Sequence, residues 1–205
     1  MQALSLFLQF RITDAGLAHL KDLTELRALD LGYTGITNSG LVHLKNMKCL
    51  RTLGLRATNI TDAGLANLKE LKSLQTLDLT QTNTTDAGVA QLAELKGLKE
   101  LRLYGTNITD AGLVRLEELK MLQTLDLGDT AVTDSGLATL SEMNGLKSIG
   151  LSFTKVTKAG LAHFEGLKGL QKIDLMGTKI SEVELEELRT ALPNTKINTE
   201  PDIDR

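Results

Sequence analysis

The chain has 205 residues and a net charge of −3; 42 residues are leucine, while aromatics make up only 3%. A composition of 41% apolar and 24% charged residues excludes a disordered chain, and the slightly acidic balance argues against binding a nucleic-acid backbone. Cys49 is the single cysteine, which excludes an intramolecular disulfide and any paired-cysteine metal or redox motif.

The opening stretch from Ala3 to Phe10 (ALSLFLQF) is mostly apolar, but it lacks a basic flank and a small-residue cleavage site. It therefore reads as the approach to the first repeat, not as a signal peptide, which leaves the compartment open with the cytoplasm favoured. Nothing in the chain approaches the roughly 18 consecutive apolar residues a spanning helix requires, so no membrane insertion is expected. Counted back at the repeat spacing found below, Phe7 and Phe10 fall where a preceding copy's strand and threonine would lie.

From Ile12 the chain repeats itself. ITDAGLAHLKDLTELRALDLGYTG is followed by ITNSGLVHLKNMKCLRTLGLRATN, and five further copies begin at Ile60, Thr84, Ile108, Val132 and Val156. Seven copies of 24 residues, without insertion or deletion, fill residues 12–179. Numbered from 0, positions 5, 8 and 11 of each copy are apolar at a spacing of three, as on one face of a short helix, and positions 17 and 19 alternate as in a strand. Positions 0 and 14 complete the apolar set, with Thr84 at position 0 as its one polar member. Each copy thus predicts one helix and one strand.

Thr at position 1 (Thr13, Thr37, Thr61 and on to Thr157), usually followed by Asp, suits a helix start: the hydroxyl accepts first-turn N–H groups and the carboxylate faces the positive dipole end. Gly at position 4 of every copy, from Gly16 to Gly160, costs helix stability and so implies close packing or a non-helical angle. Thr at position 22, from Thr34 to Thr178, is placed to satisfy backbone groups where the chain leaves the sheet. Three N-x-T sequons, at Asn59, Asn83 and Asn107, recur at the repeat spacing and read as by-products of it.

After Ile180 the segment SEVELEELRTALPNTKI predicts a capping helix with Val183, Leu185, Leu188 and Leu192 on one side. Pro193-Asn194 turns the chain, and Lys196 to Thr199 can add a last strand. The organisation expected is a partial repeat or cap over 1–11, seven repeats over 12–179, a C-terminal helix and strand over 180–199 and a tail over 200–205.

The segment LRALDLGYTGI, from Leu26 to Ile36, resembles the leucine-rich repeat pattern L-x-x-L-x-L-x-x-N/C-x-L, with Thr34 at the Asn/Cys position. The longer unit T-x-ITDAGL-x-x-L resembles bacterial members related to the ribonuclease-inhibitor and cysteine-containing groups. The latter group has Cys where this chain has Thr, and no F-box-like segment precedes the repeats, which argues against a ubiquitin-ligase adaptor. Strands lie about 4.8 Å apart and helices about 10 Å, so the stack must curve into an α/β horseshoe, with a parallel sheet on its concave side and short helices on its convex side.

An enzyme reading finds no support: phosphate-loop, dinucleotide, zinc-protease, nucleophile-elbow and EF-hand patterns are all missing from the sequence. His19, His43 and His163 share position 7, on the solvent side of the convex helices, and Cys49 has no repeated partner, so neither metal nor cofactor is implied. Function is expected from the variable strand positions 15, 16, 18, 20 and 21. Aromatic and arginine side chains there are the usual interface anchors, and they nominate Arg27, Tyr33, Arg51, Arg56, Arg102, Tyr104 and Phe153. Asp78 and Asp126 flank Arg102 at one strand spacing each, as a charge ladder.

The family resemblance implies a non-catalytic scaffold for an unknown protein or peptide. The alternative is a structural or spacer segment of a larger protein, or a chain that associates with itself through its open N-terminal end. Arg27, Arg51 and Arg56 gather positive charge in the first copies, and Asp126, Asp129 and Asp174 mark the later ones.

Overall fold

Leucines at a fixed period can be buried only by stacking copies, and the computed structural model, which describes residues 2–200, does so in one solenoid. Nine strands form one parallel sheet in chain order. They are Ala3–Ser5 (β1), Ala28–Asp30 (β2), Thr52–Gly54 (β3), Thr76–Asp78 (β4), Glu100–Arg102 (β5), Thr124–Asp126 (β6), Ser148–Gly150 (β7), Lys172–Asp174 (β8) and Lys196–Asn198 (β9). Helices Asp14–Ala18 (α1), Asn38–Leu41 (α2), Asp62–Leu65 (α3), Asp86–Leu92 (α4), Asp110–Leu116 (α5), Asp134–Thr139 (α6), Lys158–Leu161 (α7) and Glu182–Ala191 (α8) alternate with them. α2, α3 and α7 tighten at once into 3-10 turns. Of the predicted tail, residues 201–205 lie outside the described residues.

The core is a single column between sheet and helices. Leu29, Leu53, Leu77, Leu101, Leu125, Ile149 and Ile173 are paired in register across the sheet and buried. Thr84, the polar exception, is also buried, and its hydroxyl shares a 2.9 Å hydrogen bond with that of Thr82. The position-22 threonines do what the repeat predicts: Thr34, Thr58 and Thr154 each donate to the carbonyl three residues back, Leu31, Leu55 and Leu151, at 2.6 Å.

The joint between copies is polar and was not apparent in the repeat. Asp14 Oδ1 accepts the backbone N–H of Thr37 at 2.8 Å and its Oδ2 accepts the Thr37 hydroxyl at 2.6 Å. The same pair of bonds joins Asp62 to Thr85, Asp86 to Thr109, Asp110 to Thr133 and Asp134 to Thr157. Position 2 thus serves the next copy as well as its own helix dipole.

Helix capping depends on this joint. Thr37, Thr85, Thr109, Thr133 and Thr157 accept the N–H two residues on, at 3.2–3.3 Å. Thr13, which has no such aspartate, and Thr61, whose oxygen takes a proton from the Asn38 amide at 2.8 Å, do not. The hydroxyl turns its lone pair to the helix only where a carboxylate accepts its proton. The conserved spacing of glycine follows too: in Gly40, Gly64, Gly88, Gly112, Gly136 and Gly160 the space a β-carbon needs is filled by the preceding copy's Asp or Asn oxygen. None of the six has a positive φ, so close approach and not backbone angle demands glycine.

Both ends depart from the expected pattern. β1 pairs Leu4 with Leu29, a separation of 25, and Leu8, not Gln9, takes the left-handed position (φ 62). One extra residue in the loop before Ile12 therefore shifts the segment: Leu6 goes inward, Phe7 moves onto the open sheet face and Gln9 stands at the threonine position. At the other end Leu185, Leu188 and Leu192 are buried but Val183 is 72% exposed. At 100° per residue, Val183 lies about 200° from Leu185, on the opposite side of the helix. Ser181 and Glu184 close a capping box at the start of α8.

Candidate partner-binding face

Residues at positions 16, 18 and 20 alternate with the buried leucines and so face the open side of the sheet. Asp30, Asp78, Asp126 and Asp174 at position 18 each accept the backbone N–H two residues later, at 2.9–3.2 Å, which turns the chain out of the strand. A β-carbon on Gly54 would lie 2.6 Å from Asp30 Oδ1, so the glycines of this column make room for the carboxylate of the neighbouring strand.

Position 21 is left-handed in all seven copies: Tyr33, Ala57, Gln81, Asp129 and Phe153 have φ between 50° and 57°, and Gly105 and Gly177 have 65° and 70°. Its N–H donates to the next copy's carbonyl, as Tyr33 does to Arg56 at 2.8 Å and Phe153 to Met176 at 2.8 Å. Only glycine adopts this angle freely; a tyrosine or phenylalanine there is held against its own preference.

The nominated residues fall into three groups. At the N-terminal end the Arg56 guanidinium lies 5.7 Å from the Tyr33 ring centroid, and Phe7 meets the same ring edge-on at 5.4 Å. The Tyr33 hydroxyl donates to Gln81 Oε1 at 3.4 Å. Arg27 and Arg51 stand just before β2 and β3, both exposed.

In the middle, Arg102 reaches Asp78 at 3.8 Å, but its tight partner is Glu100 on its own strand, at 2.6 Å. The expected ladder is therefore loose on its Asp78 side, because the guanidinium turns along the strand instead of across it. At the C-terminal end the Tyr104 ring covers Gly128, whose β-carbon would fall 2.5 Å from it, and the Phe153 ring covers Gly177. Burial first, and then the negative charge of Asp129 and Asp126, raises the Tyr104 pKa, against the opposing charge of Arg56. Ser152 donates to Asp174 at 2.6 Å.

Sequence reasoning missed Phe7 as a member of this face, and it placed Glu100 and Gln81 on the face without nominating them. The glycines at Gly105 and Gly177 were the readable sign of a left-handed column; the loop insertion that moves Phe7 left no sign in the period. Among the described residues no cluster of His, Cys, Asp or Glu is arranged to hold a metal ion, and no helix is long and apolar enough to cross a membrane.

The chain matches the family model described as a leucine-rich repeat region over residues 3–199. Among solved structures it is similar to an internalin C2 of Listeria monocytogenes, with a TM-score of 0.76 and 28% identity over 97% of this chain and 80% of that one. An internalin (inlF) of the same organism shares the fold, with a TM-score of 0.66 and 21% identity over 95% of this chain and 67% of that one. No curated protein matches the chain.

Proposed function

The chain belongs to the leucine-rich repeat family, and from that premise we propose that it is a non-catalytic scaffold that binds a protein or peptide along its concave sheet. One observation carries the reading. Tyr33 and Phe153 occupy a left-handed position that glycine fills at no cost in two other copies, and Phe153 is 48% exposed there. Backbone strain of about 1 to 3 kcal/mol at an aromatic that is not fully buried supports a role for the ring outside the fold itself.

The test compares capture from source cells by the wild-type chain and by a Tyr33→Ser, Arg102→Glu, Tyr104→Ser variant whose folding is verified by circular dichroism. A protein retained by the first and lost by the second supports the concave face; equal recovery moves recognition to the convex helices or an end.

A second reading, assembly through the N-terminal end as a spacer or self-associating unit, is favoured by what that end exposes. Ile12 and Leu20 are only half-buried and Leu23 is 38% exposed, whereas the same positions 0, 8 and 11 are closed in the copies that follow, and Leu8 and Phe10 beside them are 47% and 69% exposed. Sedimentation velocity of the full chain, with and without Leu8→Ser, Phe10→Ser and Leu23→Ser, tests it: a concentration-dependent dimer abolished by these changes supports assembly, and a monomer at all concentrations overturns it.

A further inference from the structure

The two ends of the solenoid are closed to different degrees, and the difference identifies what the N-terminal end takes; the identification rests on the second reading above, assembly through that end. At the C-terminal end Leu185, Leu188 and Leu192 are 3%, 4% and 6% exposed, so a further copy stacked there would bury almost nothing apolar. At the N-terminal end residues 2–11 supply a strand but no helix, so Ile12, Leu20 and Leu23 of the first copy stay partly open beside α1. Leu8, Phe10 and Leu23 alone leave roughly 300 Å² of apolar surface uncovered, the size at which a patch on a monomer marks an interaction site. The strand edge is open too. The backbone N–H groups of Leu6 and Leu8 donate to the carbonyls of Asp30 and Gly32 at 2.7 Å and 3.0 Å, so Ala3 and Ser5, which alternate with them, aim their backbone groups away from the sheet.

We propose that the N-terminal end is covered by the same end of a second copy of this chain, related to it by a two-fold axis that passes between their β1 strands. With β1 antiparallel beside β1, the two β2 strands stand three strand spacings, about 14 Å, apart. On the other layer that leaves room for the two α1 helices, which pack about 8–10 Å from each other, with Phe10 and Leu8 filling the remainder. Each α1 thus stands where the other copy has no helix. The charges are complementary as well. The chain leaves each strand at one edge of the solenoid and returns to the next strand at the other, so the two-fold axis sets the corner at residues 8–11 of one copy against the corner at residues 21–23 of the other. Phe10 then meets Leu23 of the second copy, and Arg11 meets its Asp22; both charged groups are exposed, and neither forms an ion pair among the described residues. Head-to-tail stacking offers no such match. Within the chain Lys48, Lys72 and Lys96 at position 12 pair with Glu70, Glu94 and Glu118 at position 10 of the next copy, but Asp22 at position 10 would face Leu192 at position 12.

Sedimentation velocity of the full chain over a range of concentrations, combined with cross-linking, is the test. A monomer–dimer equilibrium without larger species is expected, because a two-fold contact closes after two copies. Arg11→Asp and Asp22→Arg are each expected to weaken the dimer about tenfold, and both changes in one chain to restore it to within about threefold of wild type. Neither misfolding nor loose apolar adhesion would be rescued in this way. Oxidation of Ser5→Cys, in a Cys49→Ser background, is expected to link two chains through residue 5, since residues opposite each other on an antiparallel edge lie about 5.5 Å apart. A dimer that is abolished by Leu8→Ser, Phe10→Ser and Leu23→Ser but fails either the charge exchange or the residue-5 cross-link keeps assembly through this end and overturns the two-fold arrangement. Open-ended polymers in which Ser5→Cys links to Asn198→Cys of another chain do the same, in favour of head-to-tail stacking. A monomer at every concentration overturns both.

Discussion

Asp110 and Thr133, 23 residues apart, are joined by two hydrogen bonds: the Thr133 backbone N–H donates to Oδ1 at 2.8 Å and its hydroxyl to Oδ2 at 2.6 Å. The same hydroxyl accepts the N–H of Ser135 at 3.3 Å, so a carboxylate in one copy aligns the helix cap of the next. This joint gives the solenoid polar nearest-neighbour coupling in addition to its leucines.

Asp110→Ala leaves the Thr133 N–H without its acceptor and is expected to cost about 1 to 3 kcal/mol in urea unfolding. Asp110→Asn is expected to cost less, because Asn38 holds Thr61 with the same geometry, at 2.9 Å and 2.8 Å. Equal losses for both substitutions would show that charge, not the paired acceptor, carries the joint.

Gly136 and Gly16 occupy the same repeat position with opposite surroundings. Asp110 Oδ1 fills the β-carbon space of Gly136, whereas a β-carbon on Gly16 would meet only Ile12, at 3.7 Å. Gly136→Ala is expected to destabilise by about 1 to 3 kcal/mol through overpacking. Gly16→Ala is expected to stabilise by up to about 1 kcal/mol through helix propensity. Thermal unfolding of the two variants decides it, and a matching loss at Gly16 would refute the account.

Thr82 and Thr84 share one buried hydrogen bond but differ in what depends on them. The Thr82 hydroxyl donates to the Leu79 carbonyl at 2.7 Å, which leaves Thr84 as donor in the bond between them. Thr84→Val therefore strands no buried donor and is expected to be neutral or stabilising by about 1 kcal/mol. Thr82→Val leaves the Thr84 hydroxyl unpaired, while the Leu79 carbonyl keeps the backbone N–H of residue 82 at 3.1 Å, and is expected to cost about 1 to 3 kcal/mol in chemical denaturation.

Phe153→Gly separates recognition from stability. Removing a side chain from a φ of 57° relieves backbone strain, so the unfolding midpoint is expected to hold or rise, by on the order of 1 kcal/mol, while partner binding weakens. Loss of both together would mean that the ring over Gly177 is chiefly structural packing.

The start of α8 is expected to loosen in acid. The Ser181 hydroxyl and backbone N–H bond the Glu184 carboxylate and hold its pKa below the ordinary value. A lowered folded-state pKa stabilises above the unfolded-state value, and that contribution is lost as pH falls through the folded one. Protection of the first-turn amides of α8, taken relative to the intrinsic exchange rate at each pH, is expected to fall over that range in the wild type and to be flat across it in Glu184→Gln.

The period of 24 by itself determined the helix and strand order, the buried leucine columns, the threonines that close on the carbonyl three residues back, and the face from which recognition is proposed. These follow locally, because side chains alternate along a strand and recur every three to four residues in a helix, and because each copy's neighbour is nearly itself. Only the tertiary structure decided that position-2 aspartates belong to the next copy, that their oxygens are why position 4 must be glycine, and that the first strand is shifted by one residue. It also turned Arg102 toward Glu100 and set the Tyr104 and Phe153 rings against glycines of the next copy. A carboxylate, a guanidinium or a ring has several reachable partners, and the choice depends on the distance and angle between stacked copies, which no single repeat contains.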